Sequence, residues 1–276
     1  MTDVVAQKPR KRGPTVRLSV ERTERLSRSL VRVHFLGADL DDFDLEHADT
    51  YLKLHFGGGV GELELPFDLQ ELRATLPYEQ VPVRRTYTVR GIDRASGTVS
   101  VDFVVHGDAG VAGPWARDAK PGDVIVATTP HGAYSPLPES DWHLICGDES
   151  ALPAIARTLE ALPEDAQGAV LVEVAGEEDH IELSAPTGVS VQWLHRGEHG
   201  GFDQQLIAAA VENLAFPDGL VQVFAHGERE QMKRLRKIFS ARGVERSQLS
   251  LSGYWAAGRT EDAFQSEKRE PVGQIF

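Results

Sequence analysis

The chain has a single cysteine, Cys146. One thiol excludes an intrachain disulfide and any zinc site or cluster held by several cysteines. It lies before Gly147 at the end of an apolar run, and nothing nearby marks it as a nucleophile, so it reads as a small buried hydrophobe. Long hydrophobic runs are also missing: none approaches the roughly 20 residues needed to span a bilayer. The basic start (Lys8, Arg10, Lys11, Arg12) is followed by no apolar segment and is not a secretory signal. These absences point to a cytoplasmic protein with no membrane insertion. Positive charge is scarce too. With 29 Lys+Arg against 42 Asp+Glu, the net charge of −13 argues against a nucleic-acid binder, which needs a basic face. The basic cluster itself reads as a disordered tail over residues 1–15, being polar and containing proline; contact with an anionic surface is the alternative. No metal-ligating cluster stands out.

The 276 residues that remain to be explained are long for one compact core, and two domains are expected. Residues 15–20, 29–36, 51–56, 84–90, 97–105 and 124–128 read as short strands with β-branched alternation. In the second, Val31, Val33 and Phe35 share one face. An acidic loop (Asp39, Asp41, Asp42, Asp44, Glu46) and a loop or short helix over 69–80 lie between strands. Many short strands punctuated by turns predict an antiparallel β-barrel over residues 16–138. After a linker near 136–141 the pattern changes. Strands at 142–146, 169–174, 189–194, 220–225 and 249–255 alternate with helices at 151–162, 202–214 and 230–242. That alternation predicts an α/β domain with a parallel sheet over 139–276, ending in a C-terminal tail.

The stretch Arg84-Arg85-Thr86-Tyr87-Thr88-Val89-Arg90 is the most chemically suggestive. In a strand, Arg85, Tyr87 and Val89 face one way, and Thr86, Thr88 and Arg90 the other. An arginine for a phosphate, a ring for a planar heterocycle and hydroxyls for its edge suit a flavin nucleotide. A sheet edge with solvated arginines and Tyr87 packed on the core is the simpler alternative. Because Tyr87 and Thr88 project to opposite faces, both can touch one flavin only if its ring lies at the end or edge of the strand.

Motifs further along favour the first alternative. In order, they are 85–90, Asp102-Phe103-Val104-Val105-His106-Gly107, Gly110-Val111-Ala112-Gly113-Pro114-Trp115-Ala116, Pro121-Gly122-Asp123, Gly147-Asp148-Glu149-Ser150-Ala151-Leu152-Pro153-Ala154, and Gly253-Tyr254-Trp255-Ala256-Ala257-Gly258-Arg259-Thr260. In order and spacing they resemble the siderophore-interacting protein family of FAD-dependent ferric-siderophore reductases, related to ferredoxin reductases, over residues 16–262. The resemblance implies that the barrel binds FAD and the α/β domain binds NAD(P)H. It implies that Arg85 contacts the FAD phosphates, that Thr86 and Tyr87 lie against the cofactor, and that Thr88 sits near the reactive N5 edge as the catalytic residue. His106 and the turn Gly110, Val111 and Ala112 would hold the rest of the nucleotide, with Trp115 opening a helix behind it or simply anchoring the barrel core. A Gly/Ala turn at a helix start offers free backbone N–H groups to a pyrophosphate. The family usually has Pro and then a hydroxyl residue where this chain has Val111 and Gly113, so a side-chain donor is lost here.

Gly147, Asp148, Glu149 and Ser150 form a strand-to-helix turn, the usual place for a nucleotide in an open α/β sheet, and the resemblance puts it at the nicotinamide end. Ser150 is also expected as a helix N-cap, with Pro153 in the first turn. Beyond the next strand, Glu177, Glu178 and Asp179 suit a ribose 2′-hydroxyl and so favour NADH over NADPH, whereas Arg196, if it reaches the ribose, reverses that preference. Lys53, His131 and Arg259 are the cations that could attract an anionic ferric siderophore to an acidic protein; the family usually has arginine near His131 and more basic residues at Ala256-Ala257. The implied reaction passes hydride from the nicotinamide to flavin N5 and then single electrons to siderophore-bound Fe(III), releasing Fe(II). Two rivals are a reductase serving a ferredoxin or an oxygenase, and a non-enzymatic siderophore-binding protein.

Overall fold

The computed structural model describes residues 15–37, 40, 43, 45–197 and 205–276. Residues 1–14 of the basic tail, Asp39, Asp41, Asp42 and Asp44 of the acidic loop, and positions 202–204 of the predicted helix 202–214 lie outside the described residues.

Six strands close the expected antiparallel barrel: β1 (Thr15–Arg25), β2 (Leu30–Gly37), β3 (Tyr51–Phe56), β4 (Val83–Asp93), β5 (Thr98–Val104) and β6 (Val124–Thr128). Their order around the barrel is β1-β2-β5-β4-β3-β6. Two seven-residue helices, α1 (Leu69–Thr75) and α2 (Ala112–Asp118), interrupt them. Alternation sends Val31, Val33 and Phe35 of β2, Leu52, Leu54 and Phe56 of β3, and Val99, Val101 and Phe103 of β5 into one buried core. Each such burial stabilises the fold by about 1.5–3 kcal/mol. Trp115 of α2 joins that core, its ring centroid 5.2 Å from Phe56 and 6.1 Å from both Phe35 and Phe103.

The parallel sheet follows, built from β7 (Trp142–Asp148), β8 (Gln167–Val174), β9 (Gly188–His195), β10 (Val221–Glu228) and β11 (Leu249–Trp255) in the order β11-β10-β7-β8-β9. The central strands read as unbroken apolar runs because helices cover both faces. Ile155 and Leu159 of α3 (Leu152–Glu160) pack with Val170 and Val172 on one side; on the other, Ile207 and Val211 of α4 (Leu206–Asn213) and Leu235 and Phe239 of α5 (Arg229–Ala241) pack with Leu144 and Val223.

Two elements depart from expectation. Ser150 is not the N-cap of the helix after β7. Asp148, the last extended residue, caps a 3-10 turn (Glu149–Ala151) by accepting from the Ser150 backbone N–H at 2.9 Å, and α3 follows from Ala151 with no side-chain cap. The C-terminal tail is folded: α6 (Glu261–Glu267) is capped by Thr260 Oγ1, carries Glu261 and Asp262 in its first turn, and buries Phe264. Among the described residues no helix is long and apolar enough to cross a membrane, and no group of three or more ligand-type side chains could hold a metal ion.

Candidate active site

β4 is where the two sheets meet. Its register against β3 pairs Arg85 with Leu54 and Tyr87 with Leu52, the barrel-facing set, and pairs Thr86 with Lys53 and Thr88 with Tyr51 on the outer face. Tyr87 lies in the aromatic core, 4.4 Å from the Phe103 ring centroid. On its other edge β4 pairs with β5 only from Val89 onward, with a bulge between Val89 and Gly91. Residues 83–88 therefore have a strand partner on one side only. Tyr87 and Thr88 do point to opposite faces, and the open edge of this half-strand runs beside both.

The outer face of β4 docks on the α/β domain. Thr88 is buried on this face. Arg90 makes a two-pronged pair with Glu160 of α3. Arg157 of α3 donates to the carbonyls of Leu45, His47 and Ala48, which lead into β3. These contacts bring the half-open strand to the carboxyl ends of β7 and β10, where the strand order reverses and open α/β sheets take their ligands. α6 comes back to the same place: Asp262 Oδ1 is 3.6 Å from Arg85 Nη1, while Arg85 also donates to its neighbour's carbonyl at 2.8 Å. Glu261 is held above the usual carboxylate range by burial, and burial likewise raises the Tyr87 hydroxyl. Burial pulls the Lys268 ammonium down; its Nζ lies 4.6 Å from the Phe264 ring.

At the strand ends, Gly147 is required by space. A Cβ there would come within 2.6 Å of both the Ala151 Cβ and the His226 carbonyl. Asp148 is turned inward, accepting from the Glu228 backbone at 3.0 Å and the Trp255 indole at 2.8 Å besides Ser150. It ties the ends of β7, β10 and β11 together, and burial, reinforced by the Glu149 charge, pushes it up to about 6. Glu149 is engaged by Arg196, which also holds Glu173 at 3.2 Å. Glu173 is pushed up to about 7 by burial and accepts from Gln231 at 2.8 Å. Arg196 is thus committed to two carboxylates, not presented to a ribose. The acidic turn Glu177–Asp179 is engaged as well: Glu178 lies 3.4 Å and the buried Asp179 3.6 Å from Arg28 of the β1–β2 turn. Two of the three carboxylates that favoured NADH, Glu178 and Asp179, face Arg28 within the fold, and that preference has no structural support.

The remaining candidates are spread around this junction. His106 and Gly110 are exposed beyond β5. α2 starts at Val111 with no side-chain cap, leaving the first-turn N–H groups of Ala112 and Gly113 without intrahelical acceptors. A Cβ on Gly113 would sit 2.9 Å from the Val104 carbonyl, so the hydroxyl residue usual in the family has no room here. Trp115 is a core anchor. Lys53 lies on the outer face beside Thr86, and His131 is tied through its backbone to Tyr51 at 2.7 and 3.0 Å. Arg259 is bound to Glu267 at 2.7 Å. Cys146 is fully buried and its thiol is pushed up by burial, as an inert residue should be. Sequence reasoning missed α6, although Thr260 followed by two acidic residues is a helix-start signal. It also missed Tyr254 and its buried partner His226, which only the register of β10 and β11 brings together.

Comparison with known proteins agrees with this architecture. Residues 19–134 match the model of the siderophore-interacting FAD-binding domain, and residues 140–258 that of siderophore-interacting protein. The ferric vibriobactin reductase of Vibrio cholerae is 33% identical over 263 residues, 94% of this chain and 96% of that one. The NADPH-dependent ferric-chelate reductase of Escherichia coli is 29% identical over 243 residues, 87% and 92% of the two chains. A crystal structure of a siderophore utilization protein from T. fusca superposes with a TM-score of 0.76 at 34% identity, covering 89% of this chain and 94% of that one. With the half-open barrel strand docked on a parallel sheet and both family models matched in sequence, the chain belongs to the siderophore-interacting protein family and is a flavoprotein oxidoreductase.

Proposed function

We propose that this protein is a ferric-siderophore reductase that binds FAD at the open edge of β4, takes electrons from NAD(P)H and delivers them to siderophore-bound Fe(III) in the cytoplasm. The observation that carries the reading is the half-paired strand: Arg85 and Tyr87 on its barrel face and Thr88 on its outer face share one free edge, opposite the carboxyl ends of β7 and β10. FAD supplies the conversion of a two-electron hydride into single electrons. In this reading the guanidinium of Arg85 takes a phosphate, exchanging Asp262 for it, and the N–H groups at the start of α2 add backbone donors. Tyr87 and Thr86 border the ring, and the buried Thr88 lies at its N5 edge. His106 and Gly110 lie beyond β5 on the nucleotide side. Gly147 keeps the strand ends close enough for the nicotinamide to approach, while Asp148 and Glu149 act by fixing that turn. Lys53 gives the substrate side positive charge on an otherwise acidic protein, and His131, paired through its backbone with Tyr51, is the second candidate there. Oxygen-rich chelators hold hard Fe(III) far better than Fe(II), so one electron suffices to loosen the metal.

The relative from Escherichia coli is named NADPH-dependent, and we extend NADPH to this chain as donor. The test is a visible absorption spectrum of the purified protein, followed by anaerobic titration with NADPH and NADH and turnover with a ferric siderophore or a ferredoxin. Bound FAD bleached by NADPH and recoloured by the ferric siderophore is the expected result. Colourless protein that takes up no FAD would end the proposal, and recolouring by ferredoxin alone would reassign the substrate.

A further inference from the structure

α5 has two unlike faces. Met232, Leu235 and Phe239 are buried against the parallel sheet, as the helical period requires. The other face carries Lys233, Arg234 and Lys237, with Arg236 at its border. Five residues of this one helix are Lys or Arg and only Glu230 is acidic, in a chain with 29 Lys+Arg against 42 Asp+Glu. The face is not neutralised from within. Glu230 is held by both Arg229 and Lys233, and Lys233 also donates to the Val272 carbonyl at 2.6 Å. Arg234, Arg236 and Lys237 have no acidic or hydrogen-bonding partner among the described residues. Beside them, between α5 and the chain after α6, lies an open groove of about 590 Å³ continued by one of about 490 Å³, with Arg236, Lys237 and Phe276 lining both. Arg246 borders the first, its guanidinium 3.6 Å over the Phe276 ring. Apolar side chains are exposed at the same place: Val272 at 48% and Phe276 at 43% are two of the six large hydrophobic residues left exposed among the described residues.

We propose that this face is a docking surface for an anionic phospholipid bilayer, which the protein binds peripherally with no helix inserted. A soluble polyanion would use the cations and leave Val272 and Phe276 in water. A bilayer takes both at once, with Lys and Arg at its phosphates and the apolar side chains at the boundary of the acyl chains. The net charge of −13 repels the rest of the acidic surface from the same bilayer, so binding through this face is oriented and weakens with salt. The groove runs along α5 to Leu249, the first residue of β11, and so reaches the amino ends of the parallel strands. The candidate active site is at their carboxyl ends. Docking therefore leaves that site facing away from the bilayer and open to substrate, whichever donor and ferric chelate it uses.

The purified full chain is floated through a density gradient with vesicles of phosphatidylglycerol mixed with phosphatidylcholine, at low salt. It should rise with these vesicles, bind phosphatidylcholine alone at least about tenfold more weakly, and be released as salt is raised. Each cation removed should cost about fivefold in affinity, so Arg234→Gln/Arg236→Gln/Lys237→Gln together should lose about 100-fold. Phe276→Ala should lose about fivefold through its apolar contact. All these positions are on the surface, so turnover without vesicles should stay within about twofold of wild type. If the triple variant fails to unfold cooperatively, the three single variants carry the same test at about fivefold each. Wild-type protein that does not rise with the anionic vesicles, or a folded triple variant within about threefold of it, overturns the proposal. Loss in the triple variant with none in Phe276→Ala also overturns it, and makes the face a site for soluble polyanions.

Discussion

Arg85 and Asp262 should change FAD affinity in opposite directions. Arg85 is mostly buried, so its guanidinium is already ordered and partly desolvated, and the largely exposed Asp262 lies 3.6 Å from it. A phosphate replacing that carboxylate can take two charge-assisted hydrogen bonds from the planar fork, together about 3 kcal/mol at the low end of their range. The displaced pair is long and its carboxylate is largely exposed, so it is worth about 0–1 kcal/mol. Arg85→Ala therefore loses about 2–3 kcal/mol, a weakening of FAD binding by roughly 30- to 150-fold. Arg85→Lys keeps the charge without the fork and should fall between, near tenfold. Asp262→Asn removes the competitor and should tighten binding by about two- to fivefold. The assay is titration of FAD into the apoprotein, followed by quenching of flavin fluorescence. An Arg85→Ala variant within threefold of wild type, or an Asp262→Asn variant that binds more weakly, would refute the assignment of Arg85 to the phosphates.

Glu173 gives a pH prediction. Its pKa is raised from 4.5 to about 7 in the fold, so its contribution is fully present below pH 4.5 and is lost as pH rises through 7. Glu173→Gln cannot ionise, so its stability relative to wild type should improve by on the order of 3 kcal/mol between pH 4.5 and about 7.5, measured by urea unfolding at several pH values; a flat difference would show that Arg196 already compensates the charge. Trp115→Ala should cost about 3–5 kcal/mol of stability as a core truncation, with the loss visible in thermal unfolding of protein free of FAD. If stability is unchanged and only FAD affinity falls, Trp115 is a ligand contact instead. Cys146 should resist alkylation in the native protein and react only on unfolding, and Cys146→Ala should keep NADPH oxidation within about twofold; rapid labelling of the folded enzyme would contradict its burial.

The amino-acid sequence by itself determined the fold class, because side-chain period is a local property. Two-residue alternation in 29–36 and 97–105 and the alternation of strands with helices after residue 141 are readable without knowing any partner. It also determined which residues of 84–90 share a face, since a strand admits only one division. What it could not determine is which edge of that strand stays open. That depends on where β4 and β5 part at the Val89–Gly91 bulge, a matter of register between chain segments. The fate of the charged candidates was likewise decided in three dimensions. Glu149, Glu178, Asp179 and Arg196 look equally free in a linear reading, and each is spent on a partner at least 23 residues away only because the fold puts that partner within reach. Tyr254 and His226 carried no signal of their own. They are 28 residues apart, and it is the parallel pairing of β10 with β11 that brings the Tyr254 hydroxyl to the buried imidazole.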